Sequence, residues 1–405
     1  MISFNDVWRY GPLLILALSV AVSVSVGGIS VGLVYLAALV VLAQERKQAV
    51  WPEKSVLWAL GALLGSYFLA TLFSMPYPHD WHKFVEELWI KLLLIAIPIV
   101  VGRDSKKVIW ALKLALVIGA VAAVYAVVQH FLGVDPIRDR SLYRPQFGHS
   151  AVTGFFSHHL SFAGQTLIFL IMTTAWYLHK PTDRKYSWLP AALAALTLAL
   201  LWSFARGTWI GVLVGLPVLV MLQAGRTRIV ALASGLVMVA GVLLINPVRD
   251  HFLRIFQMQQ HATRLNLWES SWAGIKGNPL LGFGPGNFEA LLDGFKVPGH
   301  YETLAHSHND LLMHGVNAGI PGILAALALL WVTCRLMLRA GRINSGYQWI
   351  FKGTFAVQVG ITVAGVFQVF QTDDEVEILL YFLLGCALAL AGQLDREVDQ
   401  SQSRV

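Results

Sequence analysis

The sequence predicts an all-α, polytopic membrane protein of about 12 transmembrane helices with one large outward loop that contains short helices. Three observations carry that expectation. Runs of roughly 16–25 apolar residues alternate with short polar links, and such lengths match the hydrocarbon core of a bilayer. Hydrophobic residues make up 56% of the 405 and charged residues only 13%, against about 25% charged in soluble domains. One stretch, 247–318, breaks the pattern by gathering Arg249, Arg254, Arg264, Lys276, His300, His306, His308, Asn309 and Asp310 between apolar neighbours. Residues 1–405 therefore read as a single integral-membrane domain, with 247–318 its large loop and 133–158 a smaller one.

The apolar runs fall at 11–28, 30–43, 56–75, 90–102, 108–132, 159–178, 188–204, 208–223, 229–246, 317–338, 350–371 and 378–394. The first lacks a small-residue cleavage site and reads as a retained helix rather than a secretory signal. The run at 90–102 is short, and Lys91 is expected to snorkel at its edge. Trp89, Trp188, Trp209 and Tyr301 stand at run ends, where aromatic belts form. Cys334 and Cys386 both lie inside apolar runs, which points to packing rather than to a disulfide or a metal cluster.

Lysine and arginine set the orientation. The links 44–55, 103–107, 179–187, 224–228 and 335–342 carry three, three, three, two and three of them, whereas 76–89 and 372–377 carry one and none. By the positive-inside rule both termini are cytoplasmic, and the loops 133–158 and 247–318 face outward. The net charge of +7 is spread over these links, so it reads as topology and not as a nucleic-acid footprint.

Several arginines run against that rule: Arg138, Arg140 and Arg144 in the smaller loop, Arg206 in a tight turn, and Arg264 in the large loop. Arg138 and Arg140 are most simply explained by ion pairs with acidic neighbours such as Asp135, which contribute little each. Arg206 sits in Ser203-Phe-Ala-Arg-Gly207 with almost no loop around it. Burying it near a helix end costs on the order of 2.5–3.5 kcal/mol unless it is paired or hydrated, which favours function over snorkelling.

Within the large loop, Arg264 and Trp268 stand one helical turn apart on one face. A glycine-rich turn follows, Gly282-Phe-Gly284-Pro-Gly286-Asn287, whose amides are weak evidence for phosphate binding. Then come His306-Ser-His308-Asn309-Asp310 and Gly319-Ile-Pro-Gly322.

The spacing from His308-Asn309 to Gly319 and Gly322 resembles the O-antigen ligase/polymerase superfamily, which moves lipid-linked glycans at the outer face of the bacterial inner membrane. Arg264-x-x-x-Trp268, the glycine-rich turn, Ser203-Phe-Ala-Arg206-Gly207 (alanine standing where the family usually has serine) and Gly154-Phe-Phe-Ser-His158 fall in the family's order. The resemblance runs from about residue 140 to 322. Within the superfamily, the chain is most similar to ligases that join O-antigen to lipid A–core; polymerases share the segments.

The resemblance implies a donor glycan on undecaprenyl diphosphate, a sugar hydroxyl of lipid A–core as acceptor, membrane lipid as surroundings, and no cofactor. Arginine suits the diphosphate because its planar fork binds oxygens bidentately and stays charged. Arg206 and Arg264 are the candidates, with Arg140 and Arg144 as weaker ones. His308 matches the family's histidine and suits a general base near neutral pH, with Asn309 or Asp310 orienting its ring. Trp268, Gly284 and Gly286 complete the candidate substrate site. His300, His306 and His314 read as surface or packing residues. A zinc site on His306 and His308 lacks further ligands in the sequence, so metal-independent chemistry is expected.

Asp373, Asp374, Glu375 and Glu377 read as a solvated link, and apolar residues of 251–275 recur at helical spacing, suiting the bilayer surface or the bundle. A secondary transporter is the alternative from another class, permitted by Gln358 and Gln368 in an apolar run. Transporters, however, show two related halves, and no such repeat is found in the sequence.

Overall fold

The computed structural model describes residues 4–44, 46, 49–74, 80–102, 104–144, 149–179, 184–223, 228–229, 244, 249–250, 253, 262–301, 304–343 and 345–402. It is an all-α bundle. Among the described residues, seven helices are long and apolar enough to cross a membrane, and Arg206–Met221 is a shorter apolar helix. The chain is a multi-pass membrane protein. The expected run at 229–246 and most of 247–261 lie outside the described residues.

In chain order the helices are α1 (Phe4–Ser19), α2 (Val24–Gln44), α3 (Lys54–Phe73), α4 (Trp81–Leu88), α5 (Leu93–Val101), α6 (Ser105–Leu132), α7 (His159–His179), α8 (Leu189–Trp202) and α9 (Arg206–Met221). There follow α10 (Ala262–Gly277), α11 (Phe288–Phe295), α12 (Asp310–Ala340), α13 (Gln348–Ala364) and α14 (Asp374–Gln402). A 3₁₀ turn at Trp89–Leu92 joins α4 to α5. Two small antiparallel hairpins shape the 133–158 loop, β1 (Val134–Asp135) with β2 (Arg140–Ser141) and β3 (Tyr143–Arg144) with β4 (His149–Ser150).

Some boundaries follow capping chemistry. The Asp104 carboxylate accepts from the amides of Lys106 and Lys107 to start α6, and Gly133 ends it in the left-handed conformation. Two expected boundaries differ. The run 11–28 is broken at 20–23, where the Ser23 hydroxyl accepts from the Val26 amide to cap α2; a continuous apolar run hides such a break. The run 350–371 leaves the helix after Ala364, so 365–373 is a linker between α13 and α14.

α12 is kinked. Ala318 and Gly319 leave helical geometry, Gly319 with φ +64°, and the Ile320 amide donates to the Pro279 carbonyl at 2.7 Å. A Cβ on Gly319 would lie 2.6 Å from that carbonyl, and one on Gly282 would lie 2.4 Å from the Val316 carbonyl. Only glycine permits this approach of backbone to backbone. The kink seats the loop elements α10 and α11 on α12 over a small core of Leu267, Phe283, Phe288, Leu291, Leu292, Met313, Val316 and Val369.

Candidate active site

The arginine turn is built by its neighbours. α8 stops at Trp202 and α9 begins at Arg206, with Phe204 at φ +53° between them. The His159 ring donates from Nδ1 to the Ser203 carbonyl at 2.8 Å, and the Val152 amide donates to the Trp202 carbonyl at 3.0 Å. The Trp209 indole donates back to the Leu200 carbonyl at 2.9 Å. Half-buried Arg206 is thereby held at the positive end of α9. A Cβ added to Gly207 would come 2.9 Å from Phe367 Cβ in the 365–373 linker.

Arg264 and Trp268 share α10, one turn apart, and both are half-buried. Asn266 donates to the His300 carbonyl at 3.0 Å and pins that helix to the following loop. The Trp268 ring stands 6.4 Å from that of Phe367, centroid to centroid, so α10 meets the same linker as the arginine turn.

The histidine segment meets it too. His308 has φ +50°, a conformation that histidine tolerates better than most residues. Its Nδ1 lies 2.6 Å from Gln368 Oε1, and its backbone amide donates to His306 Nδ1 at 3.2 Å. Asn309 Nδ2 donates to the Val366 carbonyl at 3.2 Å, while its Oδ1 caps α12 at the Leu312 amide. The Asp310 amide donates to the Gly365 carbonyl, and its carboxylate accepts from the amides of Phe370 and Gln371 at 2.8 and 3.0 Å. Burial, with His308 and His158 nearby, lowers the His306 pKa to about 4, so His306 stays neutral at ordinary pH. The three candidate segments thus converge on residues 365–371.

Residues 191–327 match the family model described as O-antigen ligase. That match supports membership of the O-antigen ligase superfamily. It spans Arg206, Arg264, Trp268 and the histidine segment through Gly322, and it supports glycosyl-transfer chemistry at the level of the superfamily. Among curated proteins, no match to the chain is found.

The structure bears on the individual site expectations. Neither Asn309 nor Asp310 orients the His308 ring: one caps α12, and the other accepts from linker amides. The glycine-rich turn is closely packed: a Cβ on Gly284 would lie 2.8 Å from Ser74 Oγ and one on Gly286 would lie 3.0 Å from the Lys83 side chain. The Phe283 amide is spent on the Val316 carbonyl at 2.7 Å. As expected, Arg140 pairs with Asp135, and it braces the smaller loop by donating also to Thr153 and the carbonyls of Phe156 and Ser157. Arg138 joins it on the buried Asp135 carboxylate. The Arg144 side chain lies outside the described residues.

The remaining corrections concern burial. Lys91 does not snorkel; its ammonium is fully enclosed, 2.5 Å from Glu377 Oε1. Glu377 therefore leaves the supposed solvated link, and Asp373 accepts from the Ser161 hydroxyl at 2.7 Å. Trp209 is buried rather than interfacial. His314 takes the packing role expected as one of its two readings, with Nδ1 2.7 Å from the Tyr67 hydroxyl and Nε2 3.1 Å from Gln371 Oε1. Gln368 was missed as a site residue. A lone glutamine inside an apolar run carries no local sign of being in a linker.

Proposed function

We propose that this chain transfers O-antigen polysaccharide from undecaprenyl diphosphate to lipid A–core at the periplasmic face of the bacterial inner membrane, with both termini cytoplasmic. The carrying observation is that the family match encloses Arg206, Arg264 and His308, whose segments meet at one linker. Residues 1–405 act as one membrane domain, and the loop 247–318 supplies most of the chemistry.

The leaving diphosphate is already good, so the protein's tasks are to stabilise its growing charge and to remove one proton. Arg206 and Arg264 hold the diphosphate oxygens. His308 accepts the proton of the acceptor hydroxyl as that oxygen bonds the anomeric carbon and the carbon–diphosphate bond breaks. A single displacement inverts the anomeric configuration. Trp268 offers an apolar face beside the arginines. The reaction is metal-independent in this reading, and it persists in EDTA.

The deciding assay combines purified protein, lipid-linked O-antigen and lipid A–core, and looks for the joined product. Chain growth without the acceptor identifies a polymerase instead. Solute uptake by proteoliposomes without any sugar donor identifies a transporter.

A further inference from the structure

We infer that Gln368 is a positioning residue: its side-chain carbonyl accepts from Nδ1–H of His308 and so leaves the lone pair of the ring on Nε2, the atom that takes the acceptor's proton. The inference rests on the proposed role of His308 as base. It adds the group that sets the tautomer.

The geometry gives this job to Gln368 and to none of the groups expected to do it. Gln368 Oε1 is 2.6 Å from Nδ1, and Gln368 is buried at 9% exposure, so water competes poorly for the bond. Asp310, two residues from the ring, points its Oδ1 at the amides of Phe370 and Gln371. Asn309 is committed to Leu312 and Val366. The same linker that carries Gln368 also holds the two residues after the histidine, the Asn309 side chain at the Val366 carbonyl and the Asp310 amide at the Gly365 carbonyl. Ring and main chain are thus set from one side, which preorganises a base before substrate arrives.

The chemistry of the partner matters. A glutamine is neutral, so it selects the tautomer without the added attraction for the imidazolium that a carboxylate exerts. The titratable and charged groups on the segments around this pocket are His306, whose ring centroid is 4.2 Å from that of His308, His158, which helps to lower the His306 pKa, buried Asp310, and Arg206 and Arg264. Held at about 4, His306 is neutral where His308 takes up its proton and adds no opposing charge. As the proton transfers, the O–H bond of the acceptor breaks, an Nε2–H bond forms, and Nδ1–H keeps its bond to Gln368. The opposite amide orientation, with Nε2 of Gln368 donating, would put the ring hydrogen of His308 on Nε2 and deny it the base role.

The test measures kcat, donor KM and the pH profile of kcat/KM in the reconstituted ligation for Gln368→Leu, Gln368→Glu and His308→Asn. Gln368→Leu should lower kcat more than tenfold, toward the roughly 10⁴-fold that a mis-set tautomer costs a catalytic histidine, with donor KM little changed. Gln368→Glu keeps an acceptor and adds a charge that favours the imidazolium. It should retain most activity while its acid limb moves up by about one pH unit. Gln368→Glu carries the test alone if Gln368→Leu fails to fold. An unmoved acid limb in Gln368→Glu overturns the inference, as does wild-type kcat in Gln368→Leu. His308→Asn keeps a residue that accepts positive φ. If it retains transfer, the base assignment fails and takes the positioning role with it; if it is inactive while the glutamine variants behave as wild type, only the inference fails.

Discussion

The linker 365–373 stands between two polar clusters built on opposite terms. On one side Lys91 and Glu377 pair at no exposure. Lys91 also donates to the Gln371 carbonyl, and Glu87 accepts from Asn317 at 2.5 Å. The Tyr67–His314–Gln371 chain closes that cluster. On the other side His308, bonded to Gln368, keeps partial exposure, close to the segments that carry Arg206 and Arg264. Both clusters use residues that are expensive in a membrane protein. The difference teaches that burial with mutual pairing suits a brace, whereas partial exposure close to arginine-bearing segments suits the proposed substrate site.

The largest expected effect separates these roles outright. His308→Asn, which keeps a residue that accepts positive φ, should reduce ligation by about 10²–10⁴-fold while the thermal transition of the purified protein stays near wild type. A joint loss of folding and activity would class His308 with the brace. Lys91→Ala should do the reverse, leaving the Glu377 carboxylate buried without its partner. Breaking such a pair destabilises by about 3–5 kcal/mol, read as a fall in melting temperature and in yield. Replacing both members with methionine should restore much of that loss, because an apolar pair pays no desolvation.

The pH dependence of stability sharpens the contrast, because Glu87 beside the brace and His306 beside His308 shift in opposite directions. Burial pushes the Glu87 pKa up to about 7, against the pull of Lys91 and Lys83. Its folded value lies above its unfolded one, so the folded chain binds more protons and stability is lost as pH rises from the ordinary carboxylate range to about 7. His306 is held at about 4, below its ordinary value, so the unfolded chain binds more protons and stability is lost as pH falls from about 6.5 to about 4. Glu87→Gln should lessen the first slope, which Asp373, pushed up to about 8 by burial, shares, and His306→Gln should lessen the second, in melting temperatures measured from pH 4 to 7.5. Unchanged slopes in either variant would show that its group does not carry the dependence.

What the sequence made legible follows the same division. Helix positions came through where apolar runs end in caps, as at Asp104 and Gly133, and failed where the apolar run continues across a break at 20–23. Arg264 and Trp268 were readable because helical spacing puts them on one face, and His308 because its motif spacing is fixed. The Lys91–Glu377 pair spans 286 residues and leaves no local trace. The glycine-rich turn was weak evidence for phosphate binding, because glycine permits close approach to an anion and to a backbone carbonyl alike. The Val316 carbonyl lying beside Gly282 supplies the backbone reason for glycine at that position.

The smallest effect is expected at Lys83, which makes the cleanest control for the brace. Lys83 pairs with Glu86 at 2.8 Å, only slightly longer than Lys91 with Glu377, and it lies within one turn of α4. Its side chains are 44% and 35% exposed, however, so water already solvates both charges and the pair has little desolvation to recover. Exposed pairs of this kind contribute about 0.2–1 kcal/mol, screened by salt. Lys83→Ala should therefore shift the melting temperature by no more than a few degrees, and the shift should vanish in 1 M salt while that of Lys91→Ala persists. A salt-insensitive loss at Lys83 as large as the one at Lys91 would mean that burial is not what separates the two pairs.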